Sequence, residues 1–267
     1  MSSAFTATNG AEYEQLMGRW SLRLAEPFLD FCGTADRERV LDVGAGTGNL
    51  SLAVTNRCKP TSVLGVDYAQ TYIDFARTKT VNPAIRFQVA DACRLPLENH
   101  SFDRVLSMLM LHHVPEAGKA IAEMRRVARS GAVIGACVWD SQGGLTAHRM
   151  FYDTAAMIDD EAKLRRNRFM TRPMTRPGEL LAGFKAAGLA DCEERALTIR
   201  MDFASFDDYW APFLGGQGPV ADYMAGLSQQ MRQSLQSAVR DAYLVGEADG
   251  PRSYTAMAWA VKGVTPG

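Results

Sequence analysis

Short apolar runs alternate with helical patterns between residues 39 and 139, and this alternation predicts a parallel β-sheet. Each run is only a few residues long and apolar on both faces, as a strand covered by helices on both sides requires. A succession of strand, helix and strand is typical of right-handed βαβ units. The predicted strands are residues 40–43, 63–67, 85–89, 102–109 and 132–138.

Two more strands and several helices are predicted after residue 139. Residues 197–203 alternate apolar and polar positions, which indicates a strand with one wet face near a sheet edge, and residues 254–261 are apolar on both faces. Residues 205–246 begin with aromatic positions, break at Gly215-Gly216 and continue as one long helix.

The length of 267 residues suits one domain that covers 1–267 and buries a sizeable core. The stretch 141–176 is polar, methionine-rich and basic, and it resembles an insertion. We therefore expect a core and a lid in the same domain. The core is assigned to about 36–140, 177–204 and 251–264, and the lid to 1–35, 141–176 and 205–250.

Composition excludes several classes of protein. A net charge of −1 and a pI near 6.4 give no general attraction to nucleic acid, so a small-molecule partner is expected. Five scattered cysteines without a CxxC pair argue against disulfides and against a zinc site, and no metal cluster is expected. The sequence shows no signal peptide and no membrane span, so we expect a cytoplasmic protein, with its oligomeric state open.

Three glycines follow the first predicted strand at alternate positions, in the stretch DVGAGTG over residues 42–48. Gly44, Gly46 and Gly48 allow backbone angles that a side chain would forbid, so a ligand can touch the main chain there. One alternative for such a loop is a nicotinamide-dependent dehydrogenase. Its fingerprint requires glycine at the sixth position counted from Gly44, where Asn49 stands, so the spacing argues against that class.

The pattern D-x-G-x-G-x-G and the segments after it resemble the class I S-adenosylmethionine-dependent methyltransferases, most closely the small-molecule branch with quinone-biosynthesis enzymes. The other segments are VLGVDYAQTYIDFAR with Asp67, FQVADACRLPLENHSFD with Asp91, LHHV after strand four and RVARSGAVIGA before strand five. The resemblance implies a Rossmann-like α/β fold. Its seven-stranded, mostly parallel sheet has the last strand antiparallel beside strand five, with helices on both faces and a helical lid. S-adenosylmethionine is the implied cofactor, and a small organic molecule the methyl acceptor.

Asp67 is the strongest candidate for a cofactor ligand. A carboxylate that ends a strand at the ligand-binding edge of an open α/β sheet can accept hydrogen bonds from both ribose hydroxyls, although a helix N-cap is the alternative. By the resemblance, Asp91 and the Ala92 backbone contact the adenine amino group, although Asp91 also suits an Asx turn. The remaining implied contacts are Tyr68 on the adenine, Gly44, Ala45 and Gly46 along the methionine part, and the Met108 main chain on its amino group.

The amino-terminal segment also contributes candidates. It resembles a family segment Y-x-x-x-M-G-R-W-S that folds over the cofactor, which implies that Tyr13 and Arg19 reach the pocket, with Arg19 on the methionine carboxylate. Ordinary packing against the sheet edge is the alternative. A basic run in the lid is either a receptor for an acidic acceptor or a solvated helix face; it comprises Lys163, Arg165, Arg166, Arg168, Arg172 and Arg176.

Methyl transfer from a sulfonium is an in-line displacement that needs no protein nucleophile. His112 and His113 follow strand four and are weak candidates for a general base, since histidine beside apolar residues is more often structural. The chain lacks the [DN]-P-P-[YF] motif of many amino-group methyltransferases after strand four, which disfavours nucleobase methylation. A protein that binds the cofactor without turnover is the alternative function.

Overall fold

A computed structural model describes residues 9–215 and 218–267 and confirms the seven-stranded sheet. The strand order is β3-β2-β1-β4-β5-β7-β6, with parallel pairing from β3 to β5. The last strand in the chain pairs antiparallel with both β5 and β6. The strands are β1 (Arg39–Val43), β2 (Ser62–Asp67), β3 (Ile85–Val89), β4 (Phe102–Met108), β5 (Ala128–Trp139), β6 (Ala190–Phe203) and β7 (Arg252–Val264).

Helices lie between the strands and over the carboxyl-terminal edge of the sheet. The first two are joined through a π-helical turn at Glu14–Gly18, and a 3₁₀ turn at Leu111–His113 follows β4. The α-helices are α1 (Gly10–Tyr13), α2 (Arg19–Cys32), α3 (Asn49–Arg57), α4 (Gln70–Lys79), α5 (Ala117–Val127), α6 (Thr146–Ile158), α7 (Asp160–Met170), α8 (Glu179–Ala186), α9 (Phe206–Leu214), α10 (Gly218–Gly226) and α11 (Gln229–Leu244).

Parts of the predicted lid differ from the structure or lie outside it. Residues 205–246 contain three helices, α9, α10 and α11. The one long helix predicted after the break at Gly215-Gly216 is wrong, because α10 ends at Gly226 and the Ser228 side chain caps α11 by accepting from the Met231 N–H at 3.2 Å. Residues 1–8 and 216–217, which include Gly216 of the predicted break, lie outside the described residues.

The sheet buries a separate apolar layer on each face, because side chains of successive strand residues point in opposite directions. In β1, Val40 belongs to the layer that α2 and α3 cover, whereas Leu41 and Val43 belong to the layer under α5 and α8. The first layer continues into the aromatic cluster of α6 and α9, where the Phe151 and Phe213 rings stack with centroids 4.7 Å apart. Helices α6 and α9, which belong to the predicted lid, therefore pack as an extension of one core layer.

A buried ion pair connects the sheet to the end of α2. Arg104 on β4 donates to both carboxylate oxygens of Glu38 at 2.8 Å and to the carbonyl of Cys32 at 2.8 Å. Its side chain is only 9% exposed. Both partners are thus held by several hydrogen bonds, the condition under which a buried pair is tolerated. No helix in the described ranges has the length and apolar composition needed to cross a bilayer.

Candidate functional site

The glycine loop between β1 and α3 is fixed by its backbone. Gly44 has φ +78°, and a Cβ added there would lie 2.3 Å from Cγ of Met110, so a larger residue cannot replace it without movement. The N–H groups of Gly44 and Ala45 donate to the carbonyl of Val66 at 2.8 and 2.9 Å. The loop is therefore tied to the end of β2, which is the strand that carries Asp67.

Asp67 connects this loop to the start of α4. One carboxylate oxygen accepts the Gly46 N–H at 2.9 Å, and the other accepts the Ala69 N–H at 2.9 Å. Burial raises the pKa of Asp67, and these backbone hydrogen bonds oppose that rise. Each carboxylate oxygen has a second lone pair, so the fixed group can still accept hydrogen bonds from a ligand. The local turn and the ligand role predicted for Asp67 are therefore compatible.

Most of the predicted cofactor residues line one cleft of about 670 Å³ at the carboxyl ends of β1, β2 and β4. This position is where open α/β sheets bind their ligands. The predicted cofactor residues in its lining are Tyr13, Gly44, Gly46, Asp67, Tyr68, Ala92 and Met108. The candidate base His113 also lines the cleft, and residues not predicted from the sequence are Val66, Tyr72, Ala90, Leu109, Met110 and Val114.

A smaller cavity of about 300 Å³ lies against the glycine loop and contains Ala45 among its walls. Asp42 also lines it, and one of its carboxylate oxygens accepts from the Ser51 hydroxyl at 2.7 Å. The other oxygen, Oδ1, is buried without a hydrogen-bond partner. Burial is the main cause that raises the pKa of Asp42 to about 7, opposed by the Ser51 hydrogen bond and reinforced by Asp67. A residue that lines the loop cavity therefore carries an unpartnered carboxylate oxygen.

Two predicted cofactor residues, Arg19 and Asp91, line neither the cleft nor the loop cavity. Arg19 donates to both carboxylate oxygens of Asp208 on α9, at 2.9 and 3.1 Å, and its guanidinium stacks 4.2 Å over the Trp20 ring. The structure thus does not bring Arg19 to the pocket as expected, because Asp208 holds its guanidinium. Asp91 has an exposed side chain that accepts from the Cys93 N–H at 2.8 Å, which is the Asx turn considered as its alternative. Its neighbours Ala90 and Ala92 line the cleft instead.

A second cavity of about 630 Å³ adjoins the cleft, with walls that include residues of α6, α7, α9 and α10. Tyr13, Leu109 and His113 line both spaces. Leu109 has φ +62°, a left-handed conformation that is uncommon outside glycine and concentrates at functional sites. The other walls are mainly apolar and aromatic, and they are Leu16, Met17, His112, Trp139, Leu145, His148, Tyr152, Phe169, Arg172, Phe213, Gly218, Pro219 and Val220.

The two candidate histidines lie at the junction of these spaces, with ring centroids 4.0 Å apart. Burial lowers the pKa of His112 well below its usual range, and the charge of Arg172 adds to this effect. The pKa of His113 is lowered by burial, then by His112 and Arg172. Both imidazoles are therefore neutral near pH 7 and weakly basic. Their role as a general base stays a prediction.

The amino-terminal helix is attached to the glycine loop through Glu14, which sequence patterns did not single out. One carboxylate oxygen of Glu14 accepts from the Thr47 hydroxyl and from the Asn49 side-chain amide, and the other pairs with Lys79 Nζ at 3.1 Å. Lys79 also donates to the side-chain oxygen of Asn49 at 2.6 Å. These contacts place the helix over the loop, and they give Asn49 a structural role.

Comparisons with known proteins agree with this architecture. Residues 41–135, from β1 into β5, match the family described as "Methyltransferase domain". Over 117 residues the chain is 36% identical to an uncharacterized 37.1 kDa protein of a Streptomyces fradiae transposon, covering 42% of this chain and 34% of that protein. It is 31% identical over 122 residues to demethylmenaquinone methyltransferase of Staphylococcus aureus, covering 45% of this chain and 50% of that protein. The chain thus aligns with half or less of the length of these curated relatives.

A solved structure of similar fold covers almost all of the chain. It is phosphoethanolamine N-methyltransferase 2 from Haemonchus contortus in complex with S-adenosyl-L-methionine, with a TM-score of 0.61 and 17% identity. The superposition covers 97% of this chain and 57% of that chain. At this identity the likeness concerns the fold. Within the described ranges, no group of three or more histidine, cysteine, aspartate or glutamate residues is arranged to hold a metal ion.

Proposed function

We propose that this chain, whose residues 41–135 form a methyltransferase domain, transfers a methyl group from S-adenosylmethionine to a small organic acceptor. One observation carries the proposal. The cleft that contains Asp67 and the glycine loop joins a second, apolar cavity through Tyr13, Leu109 and His113. Two adjoining spaces suit a donor in one and an acceptor in the other, an arrangement that aligns the two reactants for direct transfer.

The residues of the cleft fit S-adenosylmethionine, which when bound supplies an electrophilic methyl group on a sulfonium. Asp67 would accept hydrogen bonds from the ribose hydroxyls with its remaining lone pairs, and the half-exposed Tyr68 ring would pack on the adenine. The loop cavity would hold the methionine part along Gly44, Ala45 and Gly46. The unpartnered oxygen of Asp42 suits the cationic amino group there, because a buried carboxylate gains most from a charged donor. Asp91 remains a candidate for the adenine amino group.

The second cavity supports a small, largely apolar acceptor. Its volume of about 630 Å³ lies within the range of small-molecule sites, and helices of the lid contribute its outer walls. The lid would exclude water from the reacting atoms, so that alignment does most of the catalytic work and no protein nucleophile is needed. All five cysteines are free thiols, which supports a cytoplasmic location. The net charge of −1 supports an acceptor other than nucleic acid.

Calorimetric titration of the full chain tests the cofactor. We expect S-adenosylhomocysteine and S-adenosylmethionine to bind, and NADH not to bind. The activity is then measured as formation of S-adenosylhomocysteine with a panel of quinols, phenols, aromatic acids and amines. Binding of NADH with none of S-adenosylhomocysteine would contradict the proposal, whereas tight cofactor binding without turnover across the panel would indicate a binding protein.

A further inference from the structure

Arg172 brings a positive charge to the second cavity without a carboxylate to balance it. It lies beyond the end of α7, and its guanidinium carbon is 5.2 Å from the centroid of the Phe169 ring. Three other arginines of the basic run have acidic partners: Arg165 with Glu161 at 2.9 Å, Arg166 with Asp153 at 3.5 Å and Arg176 with Glu179 at 4.0 Å. Arg168 has no ion pair among the described residues, but its side chain is exposed to water. Arg172 takes part in none of the ion pairs within 9–215 and 218–267. Burial lowers its pKa, which reflects the cost of removing an unpaired cation from water.

Three buried polar atoms on residues of the same cavity also have no hydrogen-bond partner. They are Nδ1 of His112, Nε1 of Trp139 and Nδ1 of His148. His112 is 4% exposed and Trp139 is 4% exposed, so water does not satisfy these atoms from outside. The indole N–H can only donate, and a neutral imidazole offers one donor. Buried polar atoms in folded proteins normally have partners, so this group is suited to a ligand that brings acceptor oxygens.

The remaining walls are suited to a flat apolar body. Tyr152 and Phe169 stack with ring centroids 4.6 Å apart, and Phe213 lines the same cavity. Neither aspartate nor glutamate is found among the described residues that line the cavity. A cationic amine would therefore meet Arg172 with no counter-charge, whereas an anion would compensate it. A guanidinium can bind a carboxylate through two parallel N–H···O hydrogen bonds.

We propose that the acceptor is an aromatic carboxylic acid and that Arg172 is the specificity-determining residue, its guanidinium binding the acceptor carboxylate through two N–H donors. His112, Trp139 and His148, whose ring nitrogens are unpartnered, line the same cavity. The Trp139 N–H would donate to the acceptor's oxygens, as would each histidine in the tautomer that carries its proton on Nδ1. The inference rests on the proposed function in one respect, since it takes the second cavity as the acceptor site. The ring of the acceptor then lies among Tyr152, Phe169 and Phe213.

Matched pairs of acid and amide test this proposal directly. The probes are 4-hydroxybenzoate against 4-hydroxybenzamide and 2-naphthoate against 2-naphthamide, titrated into the full chain with and without saturating S-adenosylhomocysteine. In the wild type we expect each acid to bind roughly 10- to 100-fold more tightly than its amide, as for a hydrogen-bonded charge pair. Arg172→Gln should remove that preference, and Arg172→Lys should retain only part of it, because an ammonium lacks the planar fork.

The control is Arg168→Gln, which removes the same charge from an exposed position on α7 and should keep the preference for acids. Equal affinity for acid and amide in the wild type, an unchanged preference in Arg172→Gln, or no binding by any probe would each overturn the proposal. Affinity for S-adenosylhomocysteine is measured in every variant as a check on folding. If the wild type does not bind S-adenosylhomocysteine, the proposed function is contradicted. If it binds S-adenosylhomocysteine but shows no preference for acids over amides, only this inference is contradicted.

Discussion

Replacing Asp67 by alanine removes the carboxylate that holds the glycine loop and, in the proposed function, binds the ribose. In the structure its two oxygens accept from the N–H groups of Gly46 and Ala69, both at 2.9 Å. The variant therefore loses two contacts within the protein and two contacts to the ligand. These two consequences are measured separately, one as the free energy of unfolding and the other as the affinity for S-adenosylhomocysteine.

The expected magnitudes follow from the number of hydrogen bonds. A hydrogen bond to a charged group contributes about 1.5–3 kcal/mol, and each Asp67 oxygen already serves a backbone N–H, so we take about 1–2 kcal/mol for each ribose contact. A total of about 2–4 kcal/mol weakens cofactor binding roughly 30- to 700-fold. The two backbone N–H groups left without Asp67 lower the free energy of unfolding by about 1–3 kcal/mol, less than their full cost because water can enter the cleft.

Calorimetry with S-adenosylhomocysteine and urea unfolding of the ligand-free chain measure these two losses. Asp74→Ala is the matched control, because Asp74 is an exposed carboxylate on α4 that pairs with Arg77 at 3.0 Å and lies outside the cleft. We expect that variant to change stability by less than about 0.5 kcal/mol and to bind the cofactor normally.

A ligand lacking the ribose 2′-hydroxyl separates direct contact from an indirect effect of the loop. If Asp67 binds the diol, the loss caused by Asp67→Ala and the loss caused by removing the hydroxyl are not additive, with a coupling of about 1 kcal/mol or more. Unchanged affinity of a folded Asp67→Ala variant would refute the ribose role. Additive losses would assign the effect to the loop instead.

Other buried polar groups provide three more tests. Burial raises the pKa of Asp42 from 3.8 to about 7, so the free energy of unfolding of the ligand-free chain should fall by at most about 4 kcal/mol as pH rises from about 4 to 7. Urea unfolding measures this fall, and Asp42→Asn, whose amide oxygen can still accept from Ser51, should not show it. The lowered pKa of His112 predicts that turnover shows no step near pH 6.5, and a step that His112→Ala abolishes would contradict this. Arg104→Leu leaves Glu38 unpaired and should lower the free energy of unfolding by about 3 kcal/mol, with partial recovery on adding Glu38→Leu; unchanged denaturation would show that the pair contributes little.

The hydrophobic pattern was sufficient to locate the first four strands. The predictions 40–43, 63–67, 85–89 and 102–109 each agree with the observed strands to within one residue at either end. These strands are short and bounded by turns, so side-chain pattern and strand length coincide. The expectation that all of them are covered on both faces is wrong for the edge strand β3, where Arg86, Gln88 and Val89 are exposed. The antiparallel position of the last strand was also predicted, but from the family resemblance and not from periodicity.

The later strands are longer than their apolar stretches. The predictions 132–138, 197–203 and 254–261 correspond to observed strands at 128–139, 190–203 and 252–264. In the β6–β7 pair, the ladder extends to Ala190 and Val264 through a register shift, beyond the apolar residues that the sequence shows. Backbone pairing with a neighbouring strand adds these residues, and a local pattern of side chains does not report it.

The sequence by itself determined the glycine loop, the positions of the first four strands and the acidic residue that ends β2, because each depends on nearby residues and on backbone angles that only certain residues adopt. Only the tertiary structure decided which charges have partners. Arg19 pairs with Asp208, which is 189 residues away in the chain. Arg172 lies beside the Phe169 ring and forms no ion pair with the described residues. A charge is balanced by whatever the fold brings within a few ångströms, and sequence spacing contains no record of those distances.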